Sequence, residues 1–264
     1  MHHQWNLWTG VLAVCRTIAV NLPGRTICVG LTLLFGTLAT APPARADEVR
    51  IGGTGAGLAT MRLLAEGHAK SSPADKVTVL PSLGSSGGIK AVAAGAIQLA
   101  VIARPLSEAE QQQGLKADEL GRTPFVFAVS AKNPVKGMTI PELVEIYSGA
   151  TTQWPDGSKI RLVLRPPNDA DSAYVRNLSP AMEKAKKLAE DRTGMVIATT
   201  DQDAQDNIEK IPGALGVTSL GQIVAEARSI KALSMGGVEA NATNLANGSY
   251  PYVKTLLLVS GPKT

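Results

Sequence analysis

Two glycine-rich turns, each lying between a short β strand and a helix, constrain the fold of this chain more than any other feature. The first is "GGTGAG" at 52–57, after a strand predicted over 48–51; the second is "GSSGG" at 84–88, after a strand predicted over 77–80. Helices are predicted to follow over 58–69 and 89–95, the first because Leu58, Met61, Leu64 and Ala65 recur at helical spacing. Strands alternating with helices predict an α/β fold with a parallel sheet.

The same alternation continues to the end of the chain. Further strands are predicted over 98–102, 123–130, 160–164, 196–199, 214–218, 230–233 and 256–259, and further helices over 140–147, 179–189, 201–209 and 220–226. We expect these strands to be covered by helices rather than to form a separate all-β domain.

The two turns have the features of an anion site. Unpaired backbone amides and the helix dipole attract an anion at a helix N-terminus, and Ser hydroxyls add further donors. The alternative is an ordinary tight turn in which Ser85 or Ser86 is an N-cap. A dinucleotide site is disfavoured, because Leu58 stands where the third glycine of G-x-G-x-x-G belongs, and no P-loop motif is present.

The charge distribution disfavours a nucleic-acid partner. The chain has 26 basic and 22 acidic residues, but three of the basic residues and none of the acidic ones lie in 1–46. The remainder is close to neutral, so no basic face is predicted from composition.

Residues 1–46 are interpreted as a signal peptide. Arg25 precedes an apolar stretch over 27–41, and Ala44-Arg45-Ala46 fits a small-x-small cleavage site. We expect cleavage after Ala46 and a periplasmic location; the alternative is an uncut anchor. Both cysteines, Cys15 and Cys28, lie in this leader, so no disulfide is expected in the mature protein.

The sequence gives little support for a catalytic site or a metal site. His68 is the only histidine after the leader, which leaves no Ser-His-Asp triad and no transition-metal site. Asp201, Asp203 and Asp206 of "TDQDAQD" (200–206) lack the glycine and terminal Glu of a calcium loop. Acids in the first turn of a helix, favoured by the helix dipole, are the better interpretation. Trp154 is expected to anchor a turn rather than wall a cleft. We expect no enzyme activity, no metal and no cofactor.

Several longer segments occur in a characteristic order: "GGTGAG", "LGSSGGIKAVAAGAIQLAVIARPLSE", "GMTIPELVEIYSGATTQW", "PGALGVTSLGQIV" and "IKALSMGGVEANATNLANGSYPYVKTLLLV". Together they resemble the phosphate-binding-protein (PstS-like) branch of the periplasmic solute-binding proteins. The resemblance implies a periplasmic-binding-protein type II-like fold, with two lobes joined by two crossing strands around an inter-lobe cleft. It places lobe 1 at 47–124 with a returning strand at 253–264, and lobe 2 at 125–252.

The resemblance also implies ligand positions. Thr54, Gly55, Ser85 and Arg165 stand where the family binds phosphate. Two features depart from the family: Ala103, followed by Arg104, replaces an Asp that accepts a phosphate proton, and Asp169-Ala170-Asp171 replaces a Ser-Gly-Thr. The predicted ligand-binding set is Thr54, Gly55, Ser85, Ser86, Arg104, Arg165, Asp169 and Asp171.

The departures change the expected ligand. Asp169 and Asp171 would repel phosphate unless Arg104 and Arg165 neutralise them. We therefore expect a solute with an anionic part and a cationic or hydroxyl-bearing part, although both acids could instead be solvated and face away. The resemblance implies capture of a small anionic solute by hinge closure, for an ABC permease or a membrane sensor. The alternative is an interaction or sensor protein that kept the fold and lost the ligand site.

Overall fold

The computed structural model of this chain describes residues 48–262. The predicted signal peptide and its cleavage site therefore lie outside the described residues. Among the residues described, no helix is both long enough and apolar enough to span a bilayer.

The described elements include every strand and helix that was predicted, but the strands at 137–138 and 234–235 and the helices at 108–112, 170–176 and 242–246 were not predicted. The strands are β1 (Val49–Gly53), β2 (Val77–Val79), β3 (Leu99–Ile102), β4 (Lys116–Ser130), β5 (Gly137–Met138), β6 (Arg161–Leu164), β7 (Val196–Ile197), β8 (Ala214–Ser219), β9 (Ile230–Ala232), β10 (Ser234–Met235) and β11 (Val253–Ser260). The helices are α1 (Gly55–Ser71), α2 (Gly84–Ala93), α3 (Glu108–Gln112), α4 (Ile140–Ser148), α5 (Ala170–Arg176), α6 (Pro180–Glu190), α7 (Asp201–Lys210), α8 (Leu220–Ala225) and α9 (Ala242–Ala246).

One end of the main sheet forms the first lobe. Strand β1 pairs in parallel with β2 and β3, and β11 then adds antiparallel to β3. Helix α1 covers one face, where Ala56 and Met61 pack with Ile51, and α2 covers the other through Ile89 and Val92. A sheet with helices on both faces buries its apolar strands on each side.

Two long strands carry the chain between the lobes. Strand β4 pairs with β11 up to Pro124, and its next residue, Phe125, pairs with β8. Strand β4 thus changes partner between Pro124 and Phe125, and β11 runs back antiparallel beside it. The two strands therefore have the positions expected of the two crossing connections.

The second lobe is built on β8, β6, β7 and β9 around a larger core. Strand β6 is parallel to both β7 and β8, and β9 pairs antiparallel with β4. Trp154 is buried at this lobe, and its Nε1 donates to the Gly213 carbonyl at 3.0 Å. Trp154 thus anchors a turn, as expected.

The prediction of two glycine-rich loops was wrong. The segment 84–88 lies wholly in α2, and 52–57 is divided between β1, the N-cap Thr54 and the start of α1. Helix α1 begins at Gly55 rather than at 58, and α2 begins at Gly84 rather than at 89. The glycines also serve packing. Gly53 has φ of +116°, and a Cβ added at Gly88 would lie 2.7 Å from the Gly53 Cα. A side chain at Gly88 would keep α2 from approaching β1, and a Cβ at Gly53 would lie 1.9 Å from the Val101 carbonyl oxygen on β3.

Candidate functional site

A cleft of about 670 Å³ lies between the two lobes and contains most of the predicted site. Six of the eight predicted residues lie on its walls: Thr54, Ser85, Ser86, Arg104, Asp169 and Asp171. Gly55 and Arg165 do not line it, because both are buried behind the wall.

The first turn of α2 forms one wall of the cleft. This helix has no side-chain cap, and within residues 48–262 the amides of Ser85 and Ser86 have no hydrogen-bond partner. The Ser85 Oγ accepts from the Ala103 amide at 3.0 Å, and the Ser86 Oγ accepts from Arg104 at 3.2 Å. Since both hydroxyl oxygens act as acceptors there, their protons remain available for a solute. The expectation that Ser85 or Ser86 is an N-cap was wrong, because both lie inside the helix.

Arg104 lies on this wall beside the two serines and pairs with Glu110. Its guanidinium donates to both Glu110 oxygens, at 2.9 and 2.8 Å. Glu110 is also part of the capping box of α3, through the Ser107 amide. The hydrogen bond from Arg104 lowers the pKa of Glu110 to about 2, with a further contribution from Ser107. Such a bidentate pair orients the guanidinium along the cleft rim.

The opposite wall comes from the start of α5, a helix that we did not predict. Asp169 is its N-cap and accepts from the Asp171 amide at 2.9 Å. Its carboxylate also pairs with buried Arg165, whose Nε and Nη2 donate to it at 3.2 and 2.9 Å. Asp169 is therefore both a cap and a partner of Arg165.

Asp171 is not solvated, so the alternative that both acids face away is wrong for this residue. Its side chain is about 4% exposed, and its Oδ1 lies 2.5 Å from the Nζ of the equally buried Lys254 on β11. Its Oδ2 is buried and has no hydrogen-bond partner among residues 48–262. A solute that reached Asp171 would have to supply a donor to that oxygen.

Asp201 completes the deep end of the cleft, and the sequence did not suggest its role. Its Oδ2 accepts from the Thr54 hydroxyl at 3.0 Å and lies 3.8 Å from Arg165 Nη2, while its Oδ1 lies 4.0 Å from Lys254 Nζ. Arg165, Asp169, Asp171, Asp201 and Lys254 are called the deep charge cluster below.

Three carboxylates and two cations meet in this cluster, and burial together with the neighbouring charges determines the pKa directions. Burial raises the pKa of Asp171, and Asp201 and Asp169 raise it further, against the opposing effect of Lys254. Burial alone would lower the pKa of Lys254, but Asp171 and Asp201 outweigh it and the pKa is raised. The pKa of Arg165 is raised against burial in the same way, chiefly by Asp201 and Asp169. Both cations thus stay charged.

Lys254 was not predicted as a site residue, although it stands out in the apolar segment "YVKTLLLV". A single lysine in an apolar strand is a signal for a buried ion pair, because an unpaired ammonium in a core is costly. Asp201 was considered only as a calcium ligand or as an acid in the first turn of a helix. Asp201 and Asp203 do lie in the first turn of α7, and Asp203 forms a capping box with Thr200.

The remaining candidates have structural explanations. His68 is exposed and contacts Asp75 at 2.9 Å, and Asp206 pairs with Lys210 and Arg228. No group of His, Cys, Asp and Glu suited to a metal ion is found among residues 48–262.

A model of the PBP superfamily domain matches residues 38–264. The chain belongs to the PBP superfamily. It is 30% identical over 178 residues to the phosphate-binding protein PstS of Bacillus subtilis, a match covering 64% of this chain and 55% of the relative. It is 28% identical over 112 residues to phosphate-binding protein PstS 2 of Streptococcus agalactiae, covering 42% and 38%. The chain thus spans about half the length, or less, of these curated relatives.

Solved structures confirm the PBP type II-like fold. A Clostridium perfringens protein with bound phosphate superposes with a TM-score of 0.68 at 24% identity, over 82% of this chain and 87% of the other. An ABC-type phosphate transport receptor from Vibrio cholerae gives 0.56 at 23% identity, over 83% and 88%. The resemblance to the PstS-like branch is confirmed, and these relatives are named for binding and transport rather than catalysis, in agreement with a protein that is not an enzyme.

Proposed function

We propose that this chain is a periplasmic solute-binding protein that captures a small solute with an anionic part in the inter-lobe cleft. The observation that carries the proposal is the cleft wall formed by α2, where unpaired amides, two Ser hydroxyls and Arg104 face one space. The names of the curated relatives support binding, and the family supports hinge closure about β4 and β11. The partner that receives the solute would be an ABC permease or a membrane sensor.

The anionic part of the solute belongs at the α2 end of the cleft. The amides of Ser85 and Ser86 lie at an uncapped helix N-terminus, and no acid stands in its first turn. Helix α2 is ten residues long, so its dipole adds to the attraction. Arg104, oriented by Glu110, adds a positive charge at the same end.

The opposite end of the solute faces acceptors rather than donors. Asp169 and Asp171 lie on that wall, and the Asp171 Oδ2 has no partner among residues 48–262. A solute that carries a hydroxyl or an ammonium group besides its anionic group would donate to the acids on this wall and accept from the donors on the α2 wall. A bare oxyanion would find partners only on the α2 wall. The site proposed is the predicted set, with Gly55 and Arg165 as supporting residues.

A second candidate function is a protein that kept the fold without a ligand site. The observation that favours it is the internal pairing of the deep cluster, in which Thr54 and both cations already have partners. Binding experiments separate this candidate from the first.

The test is thermal shift followed by isothermal titration, with inorganic phosphate, sulfate, glycerol phosphate and 2-aminoethylphosphonate as probes. We expect one of the two mixed probes to stabilise the protein, and Arg104→Gln to weaken its binding about tenfold or more. Arg122→Gln is the matched control, since Arg122 pairs only with exposed Glu119 and lies away from the cleft.

The other outcomes are equally informative. Micromolar binding of inorganic phosphate would contradict the mixed-ligand assignment. No binding of any probe would favour the protein without a ligand site.

The location and lobe limits are part of the proposal. We propose that residues 1–46 are removed after Ala46 during export, and that lobe 1 comprises 47–124 with 253–264 and lobe 2 comprises 125–252. Mass spectrometry of the periplasmic protein tests the first statement, because an uncut chain would retain the mass of the leader.

A further inference from the structure

The deep end of the cleft contains an anion that belongs to the chain itself. We infer that the Asp201 carboxylate occupies the position where the deep donors would otherwise hold a solute oxyanion, and so excludes small inorganic oxyanions from the cleft. The inference rests on the proposed binding function for its biological meaning, but its test is independent of it.

Three donors from three separate elements converge on this carboxylate. Thr54 lies between β1 and α1, Arg165 follows β6, and Lys254 lies on β11. Their polar atoms are 3.0, 3.8 and 4.0 Å from Asp201 oxygens. A hydroxyl, a guanidinium and an ammonium around one point are the partners that an oxyanion requires.

The helix that carries Asp201 does not need it as a cap. The N-terminus of α7 is capped by the reciprocal box of Thr200 and Asp203. Asp201, the first residue of α7, is instead 4% exposed and lines the cleft. Its side chain is therefore committed to the cluster rather than to helix termination.

The first lobe leaves space beside Thr54 for the Asp201 side chain. Gly55 opens α1 directly after Thr54, and a Cβ added there would lie 2.8 Å from the Asp201 Cβ and 2.3 Å from the Gln202 Oε1. Gln202 also joins the start of α7 to Gly55, because its Nε2 donates to the Gly55 carbonyl at 3.2 Å. The missing side chain at residue 55 thus lets the start of α7 reach Thr54.

The charges of the cluster oppose a second anion. With Asp201, three carboxylates face two cations. Four of the five side chains are buried, and that of Asp169 is 22% exposed. The unpartnered Asp171 Oδ2, buried in the cleft wall, points to the same conclusion, since it calls for a donor and not for another acceptor. Like charges in a site of low polarity repel strongly.

The test is a gain of binding. In Asp201→Ser a shorter side chain removes the carboxylate and vacates the position that it occupies, and Arg165 and Lys254 each keep one acidic partner. We expect inorganic phosphate, measured by isothermal titration, to bind about tenfold or more tightly than to the wild-type protein. The double variant Asp171→Asn/Asp201→Ser, which leaves one carboxylate against two cations, should bind more tightly again.

Asp206→Asn is the matched control. Asp206 lies on the same helix but pairs with Lys210 and Arg228 outside the cleft, so its variant should bind phosphate no better than the wild-type protein. Circular dichroism verifies folding, and Asp201→Ala serves if the Ser variant does not fold. A wild-type protein that binds phosphate as tightly as the variants, or folded variants that gain nothing, would overturn the inference.

The proposed function can fail separately. If no mixed probe binds the wild-type protein but Asp201→Ser gains phosphate, the inference holds and the solute-capture proposal loses support. If a mixed probe binds and the variants gain nothing, the reverse is true.

Discussion

The ammonium of Lys254, near the start of strand β11, lies 2.5 Å from the Asp171 carboxylate at the start of α5, with both side chains almost fully buried. Since β11 is one of the two strands that connect the lobes, this ion pair ties a connecting strand to the cleft wall. Removing one member of a buried ion pair lowers stability strongly, because the other member is then left buried without its partner.

Lys254→Met should therefore be severely destabilising. Asp171 would keep its burial and lose its cation, and removing one member of a buried pair costs about 3–5 kcal/mol. Urea denaturation measures the change. Lys76→Met, which breaks only the exposed pair with Glu48, should change stability by less than about 0.5 kcal/mol. Lys254→Met/Asp171→Leu should recover part of the loss, and a double variant as unstable as the single one would contradict the explanation.

Two glycines of helix α1 should respond in opposite ways to alanine. Gly55→Ala places a Cβ against Gln202 and Asp201, and overpacking of this kind costs about 1–3 kcal/mol. Gly67→Ala meets no atom within 4 Å in the same helix and should stabilise by about 0.5–1 kcal/mol. Thermal unfolding of both variants checks the pair. Equal effects would show that the close contact at Gly55 does not constrain the fold.

Tyr250 joins the returning chain to β4 through one hydrogen bond. Its buried hydroxyl donates to the Phe125 carbonyl at 2.9 Å, at the residue where β4 changes partner from β11 to β8. Tyr250→Phe should cost about 1 kcal/mol or slightly more, because the carbonyl loses its side-chain partner in a buried setting. Tyr252→Phe is the control and should lie within about 0.5 kcal/mol of the wild-type protein in chemical denaturation.

Because of Glu110, the stability of the folded protein should depend on pH in the acid range. Its pKa of about 2 in the folded protein lies below the ordinary 4.5, so the Arg104 pair stabilises the folded state fully above pH 4.5. That contribution is lost as the pH falls from 4.5 towards 2, because the unfolded chain takes up the proton first. In Glu110→Gln this part of the pH dependence should disappear, as measured by denaturation between pH 2 and 7. Glu108→Gln, which leaves the Arg104 pair intact, should keep it.

Much of the candidate site could be predicted because its signals are local. Ser85 and Ser86 are the second and third residues of α2, a helix that follows a strand. The carboxyl ends of neighbouring parallel strands meet at one edge of a sheet. Asp169 precedes α5 by one residue, which is the position of an N-cap acid. These placements follow from order along the chain and from helix geometry, although the two helices begin earlier than hydrophobic periodicity suggested.

Sequence alone therefore determined the α/β class and the order of the main strands and helices, because hydrophobic spacing and glycine placement act over a few residues. It did not reveal α5, which carries Asp171, or that Ser85 and Ser86 lie inside α2. Only the tertiary structure decided which charges meet. Thr54 and Asp201 are 147 positions apart, and Lys254 reaches Asp171 from the last strand. Electrostatic energy in a buried cluster depends on separations in space, which no local pattern encodes, so the pairing that makes this cleft unusual appears only when both lobes are folded together.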